Sequence, residues 1–169
     1  MNLILCGMMC VGKTTVGKKV AELTSRCWVD TDQLIEAHHG KISQIFAQQG
    51  EAHFRALETQ IVEALSTQDG LVISTGGGLV LRDENVNLLK QNGKIVFLRA
   101  RLETLLSRLS TDGTRPLLCS QTESATVRLS NLLTQRTPIY QQGADYIIDV
   151  DEKTVEEVAT ELIKLTQIV

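Results

Sequence analysis

The chain has 169 residues, 43% hydrophobic and 22% charged, which is enough for one globular domain with a substantial core. Seventeen basic residues against twenty acidic ones leave a net charge of −3, so no global field draws in nucleic acid or an anionic membrane. No apolar stretch approaches the roughly 20 residues that span a bilayer, and the first apolar run stops at Gly7 without the pattern of a signal peptide. The four cysteines (Cys6, Cys10, Cys27 and Cys119) lack metal-ligand spacing and read as reduced thiols of a cytoplasmic protein.

In chain order, the pattern predicts a buried strand over Asn2–Cys6 and a helix over Lys13–Ser25, with Val16, Val20 and Leu23 at helical spacing. A short strand follows over Trp28–Thr31, then helices over Gln33–His38 and Ile42–Ser66. Leu71–Thr75 is a β-branched run halted by Gly76, Gly77 and Gly78. A helix over Glu84–Gln91, a strand over Lys94–Leu98 and a helix over Leu102–Leu109 lead into a polar stretch, about 111–122. The chain closes with a helix over Ala125–Tyr140, a strand over Tyr146–Val150 and a helix over Val155–Gln167. Strands alternating with helices predict a single α/β domain, 1–169. It has a five-stranded parallel sheet with helices on both faces.

Residues 7–15 read GMMCVGKTT, the G-x-x-x-x-G-K-T spacing of a phosphate-binding loop. Between a strand and a helix, this spacing turns the backbone N–H groups of Cys10, Val11, Gly12, Thr14 and Thr15 toward phosphate oxygens. Lys13 would reach the β- and γ-phosphates, and the Thr14 hydroxyl would ligate Mg²⁺. Cys10 and Val11 stand where many such loops carry a glycine and a small residue.

Asp30 and Asp32 close the second strand two residues apart, where carboxylates share a face. One could hold a metal through water while the other accepts a proton; alternatively, Asp32 is the N-cap of the next helix. Arg55 and Glu58, in FRALE, form either an exposed ion pair or an anion-binding arginine with its orienting carboxylate. The run Gly76-Gly77-Gly78 suits close approach of a ligand.

Both prolines sit beside arginines: Arg115-Pro116 in the polar stretch, suited to a mobile lid, and Arg136 with Pro138, where a late helix kink is expected. His38, His39 and His53 show no spacing for zinc and read as surface or packing residues.

In this order, these segments resemble the shikimate kinase family, from Asn2 to about Val150. The resemblance implies a three-layer P-loop kinase fold with a mobile lid over 111–122 and a substrate-binding region over about 32–60. It implies transfer of the γ-phosphoryl of ATP to the 3-hydroxyl of shikimate, on the route to chorismate and the aromatic amino acids. By the same resemblance, Asp32 binds the hydroxyl and acts as base. Arg55 and Arg136 clamp the carboxylate, and Gly76, Gly77 and Gly78 contact the ring hydroxyls. Thr14 and, through water, Asp30 serve one Mg²⁺. Arg115 meets the phosphates from the lid, and Arg108 stacks on adenine.

ATP and shikimate are the implied partners of a monomer that binds neither nucleic acid nor membrane. Other acceptors on the same fold, gluconate or a nucleoside monophosphate, form a second reading, and a non-catalytic ATP-binding module a third.

Overall fold

The computed structural model describes residues 1–109 and 125–168. The expected lid, 111–122, and with it Arg115, lies outside the described residues. The described chain runs β1 (Asn2–Cys6), α1 (Lys13–Thr24), β2 (Cys27–Asp30), α2 (Thr31–His39), α3 (Ile42–Ser66) and β3 (Leu71–Ser74). It continues through a 3-10 turn (Leu79–Leu81), α4 (Asp83–Gln91), β4 (Gly93–Arg99), α5 (Leu102–Leu109), α6 (Ala125–Gly143), β5 (Tyr146–Asp149) and α7 (Val155–Thr166). Five strands form one parallel sheet in the order β2-β3-β1-β4-β5.

β1 is central and wholly buried, because a strand covered on both faces has no polar side to show. Leu3, Ile4 and Leu5 join Val72, Ile73, Ile95, Val96 and Leu98 in the main core. No helix among the described residues is long and apolar enough to cross a membrane.

Register brings the chemistry to one edge. Asp30 of β2 pairs with Ser74 of β3, and Ser74 with Leu5 of β1. These three neighbouring strands therefore end together, and the loops that follow them open on one crevice beyond their carboxyl ends.

Three expectations are corrected. The second strand ends at Asp30, not Thr31, because the Asp30 carboxylate accepts from the N–H groups of Asp32 and Gln33 and starts α2 one residue later. Asp32 is accordingly neither on the strand nor an N-cap; it lies in the first turn of α2. Over Ile42–Ser66 the helix is interrupted at Gly50, whose φ of 83° and ψ of 171° are non-helical. Glycine bears this conformation without a Cβ clash. α6 also passes through Pro138 and reaches Gly143, three residues beyond the expected end.

Candidate active site

The phosphate loop is built as its spacing demands. Lys13 donates from Nζ to the carbonyls of Gly7 and Met8, 2.9 Å each, so its ammonium is folded back over the loop. The lysine's own backbone is anchored from β3: Ser74 Oγ donates to the Lys13 carbonyl at 2.9 Å and accepts from Trp28 Nε1 at 3.0 Å. Gly12 has φ 103° and Cys10 φ 62°. Cys10 thus occupies the left-handed region that costs a side-chain-bearing residue roughly 1–2 kcal/mol relative to glycine. Cys6, on the buried strand, is different: burial pushes its thiol up to about 12.

A cavity of about 750 Å³ opens on this loop. Cys10, Val11, Gly12, Lys13, Thr14 and Thr15 form its floor. Asp30, Asp32 and Gly77 stand at one wall; Arg108, Val150, Lys153, Val155 and Val158 also line it. Arg108 Nη1 donates to the Val11 carbonyl at 2.8 Å, tying α5 to the loop. The apolar valines and Arg108 suit a flat aromatic base, and the loop suits its phosphates.

Thr14 Oγ1 donates to Asp30 Oδ2 at 3.0 Å, while Asp30 Oδ1 accepts from the α2 N–H groups. With its proton given to Asp30, the Thr14 oxygen keeps lone pairs for a hard cation. Hydroxyl and carboxylate oxygens are the donor types Mg²⁺ takes. Among the described residues no three His, Cys, Asp or Glu side chains converge as a metal site. His38, His39 and His53 are exposed.

The three consecutive glycines face three different groups. A Cβ on Gly76 would collide with the Asp32 carboxylate, and one on Gly78 with the Arg55 guanidinium. A Cβ on Gly77 would meet nothing closer than 3.7 Å, the nearest atoms including Arg136 Nη1 and the Gly7 carbonyl oxygen. Asp32, Arg55 and Arg136, from α2, α3 and α6, thus gather over one stretch of backbone. Arg55, Gly76, Gly78 and Arg136 stand beside the cavity without lining it.

Arg55 is not half of an exposed pair. Glu58 is only 1% exposed and accepts from Arg55 Nη1 at 2.6 Å, with Glu51 accepting from Nη2 at 3.0 Å. Burial pushes the Glu58 carboxyl up, opposed by the hydrogen bond and charge of Arg55.

Supporting residues escaped the sequence reading. Thr31 Oγ1 accepts from the Gly76 N–H at 2.9 Å, pinning the start of α2 to the glycine loop. Buried Asn85 accepts from Thr59 Oγ1 and donates to the Leu79 carbonyl, 2.9 Å each, fixing the Arg55 turn of α3 to the chain after Gly78. Tyr140 was missed as well; its four-residue spacing from Arg136, which places both on one helix face, was the available signal.

A family model described as shikimate kinase matches residues 9–167 of this chain. An enzyme named shikimate kinase from Caldanaerobacter subterraneus subsp. tengcongensis is 45% identical over 96% of this chain and 94% of its own. One from Thermodesulfovibrio yellowstonii is 43% identical over 96% and 93%. The solved shikimate kinase of Acinetobacter baumannii, in complex with shikimate, superposes with a TM-score of 0.91 at 38% identity, covering 98% of this chain and 92% of that one. A gluconokinase from Sinorhizobium meliloti, at 16% identity and TM-score 0.62, shares the fold alone. Matched over nearly its whole length by the family model and by relatives of 43% and 45% identity, the chain belongs to the shikimate kinase family.

Proposed function

We infer that the chain transfers the γ-phosphoryl of ATP to the 3-hydroxyl of shikimate, giving shikimate 3-phosphate and ADP, a step in aromatic amino acid biosynthesis. The observation that carries this reading is the convergence of one carboxylate and two guanidinium groups on Gly76-Gly77-Gly78, beside a phosphate loop. A small acceptor with a carboxylate at one end and a hydroxyl at the other matches that layout.

In this reading Arg55 and Arg136 clamp the acceptor carboxylate with planar, bidentate forks. Asp32 accepts the proton of the attacking hydroxyl. The hydroxyl oxygen forms the new bond to the γ-phosphorus, and the bond to the β–γ bridging oxygen breaks, its electron pair leaving with ADP. Phosphoryl transfer asks chiefly for positioning and charge neutralisation.

Lys13 and the N–H groups of Cys10 to Thr15 would hold the phosphates, with Arg108 against the adenine. Arg115 is assigned to the transferred phosphate from the lid. Thr14 and, through water, Asp30 would hold one Mg²⁺, which when bound neutralises phosphate charge.

A single domain acting as a monomer in the cytoplasm, with ATP and shikimate as partners and neither nucleic acid nor membrane, completes the reading. A net charge of −3, which sets up no field for nucleic acid or an anionic membrane, supports it. The test is ADP release, by a coupled assay, with shikimate, gluconate and nucleoside monophosphates as acceptors. Shikimate should support turnover at least about a hundredfold faster than the others. Preference for gluconate or a nucleotide would overturn the reading.

A further inference from the structure

Tyr140 has no part in the chemistry described so far, yet it touches both loops of the site. It is completely buried. Its ring packs on Phe97, centroids 5.1 Å apart. Its hydroxyl donates to the Gly77 carbonyl at 2.5 Å and lies 3.7 Å from Met8 Sδ of the phosphate loop. Burial pushes the phenol up to about 12, against the charge of Arg136, so the hydroxyl keeps its proton at any physiological pH.

That bond has a geometric consequence for the glycine loop. A peptide unit is planar and trans, so its C=O and the next N–H point in opposite directions. Holding the Gly77 carbonyl toward Tyr140 aims the Gly78 N–H away from it. Glycines populate more backbone conformations than any other residue, so three in succession need an external anchor to hold one peptide orientation. Among the described residues, the backbone hydrogen bonds of this loop begin at the Leu79 N–H, which reaches the Gly76 carbonyl at 3.2 Å, and the N–H groups of Gly77 and Gly78 have no acceptor. They are two donors with no internal use, on a stretch flanked by Asp32, Arg55 and Arg136.

We propose that Tyr140 is a positioning residue for the acceptor: its hydroxyl locks the Gly77–Gly78 peptide so that the loop's N–H groups present themselves to the acceptor's hydroxyls, at a height set by contact with Met8. Tyr140 acts through the glycine loop and does not itself meet the substrate. The inference rests on the shikimate reading above.

The test compares Tyr140→Phe, which deletes one oxygen and keeps the ring, with the parent enzyme and with Phe97→Leu. The last variant loosens the same packing but leaves the hydroxyl. The parent must first phosphorylate shikimate; failure there defeats the functional reading and not the role of Tyr140. Given that activity, Tyr140→Phe should raise the shikimate KM about tenfold while the ATP KM stays within twofold. Phe97→Leu should lower the melting temperature without that split. Equal change in both KM values, no change in either, or the same split from Phe97→Leu would each overturn the proposal.

Should Tyr140→Phe not fold, hydrogen exchange on the parent enzyme decides. Saturating shikimate should slow exchange at the Gly77 and Gly78 amides at least tenfold. Unaltered exchange at both would contradict the proposal.

Discussion

Asp32 sits over Gly76 closely enough that a side chain there would displace its carboxylate. Its backbone N–H is fixed by Asp30 Oδ1 at 3.1 Å, and its helix is pinned to the same loop through Thr31. The backbone that carries this carboxylate is therefore held by contacts that do not depend on its charge. Asp32→Asn keeps the shape and one acceptor oxygen but removes the ability to take a proton. Turnover should fall by about 10²–10⁴, the usual contribution of a positioned general base. ATP binding, measured by calorimetry, should hold within twofold. Near-normal turnover in that variant would assign the base elsewhere. Cys10 is the residue-scale oddity: a side chain at φ 62° in a loop where glycine would be unstrained, half-buried at the cavity floor.

Between elements, α3 carries the most consequential pairing. Arg55 is gripped by Glu58 below and Glu51 beside it, and its backbone carbonyl accepts from Arg82 Nη1 at 3.3 Å. Because burial raises the Glu58 carboxyl, it protonates at a higher pH than an ordinary glutamate. A carboxyl whose folded pKa is raised favours the folded state below its unfolded pKa and loses that advantage as pH rises through the folded value. Function runs the other way: protonation removes the charge that orients Arg55. The shikimate KM should therefore rise as pH falls through the range just above the ordinary glutamate value, with the ATP KM flat. In Glu58→Gln the shikimate KM should be raised already and lose that pH dependence. A pH profile identical in parent and variant would show that Glu58 does not orient Arg55.

The elements themselves were largely legible. Apolar runs such as Leu3-Ile4-Leu5 and Leu71-Val72-Ile73 are strands because both sheet faces are covered, and the helical spacing of Val16 and Val20 marks α1. The start of α2 was misread because a side-chain cap, not periodicity, decides it. The break in α3 was missed because one glycine inside a helical pattern is ordinarily tolerated. The sequence could place Tyr140 on the face of Arg136 but could not show its partner, since Gly77 lies 63 residues away and only the folded sheet brings them together.

As a whole, the molecule arranges two half-sites along one edge of a parallel sheet. The phosphate loop follows β1, Asp32 lies just past β2, and the glycine run follows β3, so three adjacent strands in register set the spacing of these segments. Arg136 arrives from α6, and its Nη1 lies 3.7 Å from where a Cβ on Gly77 would stand. That layout makes a specific claim: the phosphoryl group goes to a hydroxyl of a molecule whose carboxylate is held by two arginines. Phosphorus NMR of the product mixture from ATP, Mg²⁺ and shikimate tests it most directly. A new phosphomonoester signal coupled to the proton at carbon 3 of shikimate, growing in step with ADP, is the predicted result. ADP formed with inorganic phosphate alone, or a phosphoryl group on another hydroxyl, would contradict the account.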